Sequence, residues 1–177
     1  MVIEGYKMKR VVVREELVEL LGCPKKELLL NQFLYWIVRR YDYVQFYNEE
    51  MVIKAENKNK TDEGALVHGW IYKNSDELGA EVILKSAPTT IRRHLKQTVK
   101  WGYLHERRNP KVQYDKTFQY RLNTNKILRD LNILGFKIDY LLLIDKGKHQ
   151  LHFANSKMKF PLSITPLQYQ RLLQIIH

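Results

Sequence analysis

The sequence predicts an α+β fold, mainly helical. A helical domain over residues 1–125 closes on a β-hairpin, and a small C-terminal β-hairpin plus helix fills 126–177. Three observations predict this. Apolar side chains recur at helical spacing through 28–41 and 91–99. Short aromatic and β-branched runs stand at 70–72, 103–107 and 117–122. Glycine, proline and asparagine punctuate the chain between them.

Taken in order, residues 11–21 mix apolar and charged positions. Val13, Leu17, Val18, Leu20 and Leu21 can line one face of a short helix that Gly22 and Pro24 end. A longer helix is expected from Lys25, with Leu29, Leu30, Phe33, Leu34, Ile37, Val38 and Tyr41 as its stripe. Trp36 and Tyr35 thicken that stripe as core residues, and Arg39 and Arg40 are expected in solvent. Residues 49–69 turn polar and read as a connection. Trp70, Ile71 and Tyr72 form a short strand. Asn74 or Ser75 caps the next helix, with Asp76 and Glu77 in its first turn and Leu78, Val82 and Ile83 on its buried side. Gly79 inside that helix costs about 1 kcal/mol relative to alanine, which suits a close approach by a neighbour.

A turn through Leu84, Lys85 and Ser86 leads to a helix over 87–101, with Ser86 as the expected N-cap, Pro88 in the first turn and Gly102 as terminator. Ile91, Leu95 and Val99 fall on one face. Thr89, Thr90, Arg93, Lys96, Gln97 and Lys100 fall on the opposite face, with Arg92 on its flank. His94 lies near the apolar side and reads as a packing or phosphate-side residue. Residues 103–107 then form a strand with Leu104 inward. Residues 117–122 return as a second strand, with Phe118, Tyr120 and Leu122 inward. The tip between them, 107–117, carries Arg107, Arg108, Lys111 and Lys116.

Further on, residues 124–134 make a short helix. The apolar run 138–144 reads as a buried strand, 145–148 as a turn, and 150–154 as the hairpin partner. Thr165 and Pro166 open a final helix. This hairpin and helix can pack on the preceding domain or form a homodimer contact.

Charge narrows the function classes. The net charge of +11 and pI of about 9.6 favour a polyanionic partner, nucleic acid ahead of an anionic membrane surface. No stretch approaches the ~18 apolar residues of a membrane-spanning helix, so no membrane partner is expected. Cys23 is the single cysteine, which excludes an intrachain disulfide and fits a cytoplasmic location. There is no phosphate-binding glycine loop followed by Lys and Ser or Thr, and no His-x-His pair. His149 and His152, three apart on a strand, face opposite ways. The expectation is a non-enzymatic protein without cofactor or metal.

Short capped helix, turn, basic helix and charged hairpin follow in the order of a winged helix-turn-helix. On that reading the helix over 87–101 enters the major groove of double-stranded DNA. Thr89, Thr90, Arg93, Gln97 and Lys100 face the bases. Arg92, Lys96, Arg107, Arg108, Lys111 and Lys116 hold phosphates, with the tip as the wing. Two further readings share the same segment: a winged-helix transcription regulator of a phage or plasmid, and a winged-helix protein-interaction module.

The pattern also resembles the N-terminal winged-helix domain of phage, plasmid and Firmicute-type replication initiation proteins, the replisome organisers and DnaD-like proteins. LLLNQFLYWIVRR at 28–40, WIYKNSDEL at 70–78, TTIRRHLKQTVKWGYLHERR at 89–108 and FQYRL at 118–122 carry the resemblance. It implies origin recognition or DNA remodelling followed by contact with a helicase loader. Members usually carry a further sizeable C-terminal domain, and residues 126–177 stand in its place here.

Overall fold

A computed structural model describes residues 10–56, 66–110, 112 and 114–145. The chain is α+β and mainly helical. Among the described residues the order is α1 (Glu15–Leu21), α2 (Pro24–Ile37), α3 (Tyr43–Ala55), β1 (Ile71–Tyr72), α4 (Ser75–Glu81), α5 (Pro88–Lys100), β2 (Leu104–Arg108), β3 (Phe118–Leu122), α6 (Thr124–Ile133) and α7 (Tyr140–Asp145).

At the centre lies α2. Leu29, Leu30, Phe33, Leu34 and Ile37 are all buried, as the helical spacing requires. The helix stops at Ile37, four residues short of the end expected from the sequence, and Tyr41 is 83% exposed. The two arginines that follow are engaged. Arg39 stacks over the Tyr35 ring at 3.5 Å, and Arg40 bonds Asp42 at 2.7 Å.

The stretch read as a connection from Glu49 contains the end of a helix, α3. Its apolar pattern is weak, and only Phe46 and Glu50 are buried. It is fastened by polar groups instead. Glu50 receives Arg121 at 2.7 Å and the Thr124 backbone N–H at 3.0 Å. At Gly69 the backbone has φ +80°, and an added Cβ would stand 2.3 Å from the Phe46 ring, so the chain passes directly against α3 here.

The sheet has the order β1-β3-β2 and is antiparallel throughout, with Ile71 opposite Tyr120 and Leu104 opposite Leu122. One face, with Ile71, Leu104, Tyr120 and Leu122, closes the core over α2 and α5. Phe33 and Tyr120 meet at 5.4 Å between ring centroids. The opposite face is also covered. Arg121 is fully buried there, donating to the His68 carbonyl at 2.8 Å and to Glu49 at 3.2 Å, with Phe46 4.7 Å from its guanidinium.

After β3, α6 begins at Thr124, so the expected join between residues 125 and 126 falls in its first turn. Residues 138–144, expected as a strand, lead instead into the helix α7, which starts at Tyr140. An apolar run of this length suits either a buried strand or two helical turns, and packing decides. Tyr140, Leu143 and Ile144 join the same hydrophobic core as α2 and α6, and Tyr140 meets Tyr47 at 4.8 Å. The expected hairpin partner at 150–154 and the helix opened by Thr165 lie outside the described residues.

Candidate nucleic-acid interface

The candidate interface comprises α4, the turn after it, α5 and the β2–β3 hairpin. α4 begins with a reciprocal cap. The Asn74 side chain accepts from the Glu77 backbone N–H at 2.8 Å, and the Asn74 backbone N–H donates to the Glu77 carboxylate at 3.4 Å. At its other end, Glu81 ties α4 to α2 by accepting from Gln32 at 2.9 Å and Trp36 at 2.8 Å, while Lys73 reaches it at 2.6 Å.

The turn from α4 to α5 closes with the Leu84 N–H donating to the Gly79 carbonyl at 2.8 Å. Such a closure needs a left-handed residue after the helix, usually glycine. Here Ile83 occupies it at φ +56°, a strained conformation for a β-branched side chain. Gly79 allows the close approach that its place in the helix suggested. A Cβ there would stand 2.7 Å from Ile91 Cδ1, so α4 and α5 meet at this point.

Helix α5 runs from Pro88 with Ala87, not Ser86, as N-cap and without a side-chain cap bond. Ile91, Leu95 and Thr98 are its buried residues, and Val99 packs partly against the core. Thr98 is sheltered because its hydroxyl donates back to the His94 carbonyl at 2.9 Å. Thr89, Arg93, Lys96, Gln97 and Lys100 are exposed on the other side, and Thr90 is half-exposed. No acidic residue lies on α5. Among the described residues Arg93, Lys96 and Lys100 have no carboxylate partner, nor does the exposed Lys85 of the preceding turn.

Several cations elsewhere in the fold are used internally. Arg14, Arg40, Lys73, Arg121, Lys126 and Arg129 each pair with an acid. Arg92 belongs with them. It grips Glu106 with both terminal nitrogens, bonds the Tyr120 hydroxyl and lies 3.8 Å from the Phe118 ring centroid. The Glu106 carboxylate, ahead of its other contacts, pushes the Arg92 pKa above its ordinary value. Arg92 therefore joins α5 to the hairpin, and its guanidinium is turned to protein partners rather than outward.

The hairpin divides its basic residues between two faces. Arg107 stands on the face away from α5, where it stacks over Trp70 at 3.9 Å and donates to Gln119 at 2.9 Å. Arg108 is exposed and points to the α5 side, 5.5 Å from the Phe118 centroid. Lys116 is exposed near the tip, and Lys111 lies outside the described residues. Asp115 organises this tip by accepting from the Thr117 backbone at 3.0 Å and from the Tyr72 hydroxyl at 3.3 Å. The structure thus brings together Thr89, Thr90, Arg93, Lys96, Gln97 and Lys100, with Arg108 beside them, and separates Arg92 and Arg107 from that surface.

The other flank of α5 holds basic residues that the sequence pattern did not single out. His94 is half-buried, and Lys25 and Lys26 stand in the first turn of α2, which packs against α5. Burial, then Lys26, Arg93 and Lys25, hold its pKa below the usual histidine value. The Lys26 ammonium lies 4.3 Å from the centroid of the Trp101 ring. Only the folded arrangement reveals this group, because its members come from helices far apart in sequence.

Among the described residues no group of three or more His, Cys, Asp or Glu could hold a metal ion, and no helix is long and apolar enough to cross a membrane. No family model, curated protein or solved structure matches this chain.

Proposed function

We propose that the chain is a non-enzymatic double-stranded DNA-binding protein of winged helix-turn-helix type, with α5 entering the major groove and the β2–β3 hairpin serving as the wing. One observation carries the reading: the exposed face of α5 combines Arg93, Lys96, Gln97 and Lys100 with no acid, whereas Arg92 on the flank of the same helix is taken up by Glu106. Arginine and glutamine bond base edges, and lysine neutralises phosphate. The short capped α4 and the tight turn before α5 support the reading, because a helix-turn-helix presents its second helix in this order.

A replication-initiator role, with a helicase loader as protein partner, belongs to the same proposal. It rests on the sequence resemblance at 28–40, 70–78 and 89–108. Binding to a duplex library at several salt concentrations tests the core claim. Affinity should fall with a log–log slope near −0.9 per neutralised phosphate. Arg93→Ala should relax base preference, and Lys116→Ala should weaken all sequences alike. A salt-insensitive complex, or two silent variants, would refute the assignment.

A further inference from the structure

Helix α3 is charged where it meets the fold and apolar where it meets water. Its inner side carries Phe46, fully buried, with Glu49 and Glu50, which hold Arg121, the His68 backbone and Thr124. Its outer side carries Val44, Asn48, Met51, Val52 and Ala55, which recur at the helical spacing of one face. Val44 is 44% exposed and Val52 55%, Asn48 and Ala55 are exposed, and Met51 is half-buried. The charged residues of α3, Glu49, Glu50 and Lys54, all lie off this stripe. A solvated helix face normally holds the charges of its helix, and a neutral, apolar one marks a docking surface.

The chain itself carries a matching stripe. Tyr169, Leu172, Leu173 and Ile176 recur at i, i+3, i+4 and i+7, behind Thr165 and Pro166 as N-cap and first helical residue. The last described element, α7, borders the α3 stripe. Tyr140 meets Tyr47 at 4.8 Å, and Tyr47 lies one turn from both Val44 and Met51. The roughly twenty residues from Asp145 to Thr165 can span about 65 Å, some three times the ~20 Å length of α3. We propose that residues 166–177 dock as a helix along the outer face of α3, with their apolar stripe on Val44, Met51 and Val52. A second copy of α3 would cover the same face but leave the stripe at 169–176 in water, whereas the tail covers both. Arg171 falls opposite that stripe and stays in solvent. The inference is independent of the α5 reading.

Thiol labelling of the full chain tests the docking. With the single cysteine removed by Cys23→Ser, Val52→Cys should react slowly, and adding Leu172→Asp with Leu173→Asp should speed the reaction about tenfold or more. Val52→Cys paired with Leu173→Cys should close a disulfide within one chain on mild oxidation. In the reverse direction, Val44→Asp should release the tail and accelerate trypsin cleavage after Arg171. Val44 and Val52 are about half exposed, so their replacement leaves the core intact. Unfolding curves for each variant separate a released tail from a folding defect. Equal labelling rates with either tail, or no intrachain disulfide, would overturn the docking. So would a Val52→Cys rate that rises on dilution, because it assigns the face to a second copy.

Discussion

Arg92 and Glu106 bind each other through both ends of the guanidinium, one bond measuring 2.9 Å, and this fork joins α5 to the middle of β2. The two residues are fourteen apart in sequence, and the Tyr120 hydroxyl of β3 completes the junction. The orientation of the helix relative to the hairpin is therefore set by a charge-assisted contact as well as by apolar packing.

Replacing Arg92 should be read as a positioning defect. Arg92→Gln should lower stability by about 1–2 kcal/mol, as expected for a partly exposed charged hydrogen bond. It should weaken duplex binding without reducing the salt slope. Denaturant unfolding together with salt-dependent binding checks both halves, and a slope reduced by about one would instead place Arg92 on a phosphate.

Arg121 should be the most sensitive single position in the sheet. It is fully buried and satisfied by Glu50, Glu49 and the His68 carbonyl. Arg121→Met strands the buried Glu50 carboxylate and should cost about 3–5 kcal/mol. Arg121→Met combined with Glu50→Gln should recover part of that loss. Urea unfolding of the single and double variants measures the difference.

Glu27 gives a pH signature. Its carboxyl is fully buried, one oxygen accepts from the Arg14 N–H at 3.1 Å, and the other has no partner. Burial, the largest influence, raises its pKa from 4.5 to about 7. The folded state therefore holds this proton more tightly than the unfolded chain. The stabilising contribution is complete below about pH 4.5, declines through the interval up to about pH 7, and is gone above it. Glu27→Gln should remove that decline and raise stability at pH 8 by on the order of 2 kcal/mol. Melting curves across pH would contradict this if wild type and variant declined in parallel.

Ile83 should be improvable. Its left-handed backbone is strained for a β-branched residue, and its side chain is 44% exposed, so little burial is lost on truncation. Ile83→Gly should stabilise the fold by about 1 kcal/mol and raise Tm by a few degrees. A lowered Tm would mean that the Ile83 side chain contributes packing that outweighs the strain.

Local chemistry made part of this fold legible. Asn74 and Glu77 announce the start of α4, Gly102 the end of α5, and the four-residue spacing of Ile91 and Leu95 its buried side. Helix α3 was not legible because polar contacts to residues some seventy positions away, such as Glu50 to Arg121, hold it in place of an apolar stripe. Alternation in β3 put Tyr120 and Leu122 inward correctly, but left Arg121 facing out. It is buried because α3 and the segment before β1 cover the second face. Arg92 and Arg107 illustrate the same limit on the candidate site: composition marks a side chain as cationic, while only its neighbours decide whether the charge is spent.

The unpaired cations of α5 have an effect on the protein alone. Arg93, Lys96 and Lys100 sit within two turns of one another with nothing negative between them, so the free chain folds against its own electrostatic pressure. Added salt should relax that pressure and firm up the isolated protein, under the same conditions that loosen its hold on a polyanion.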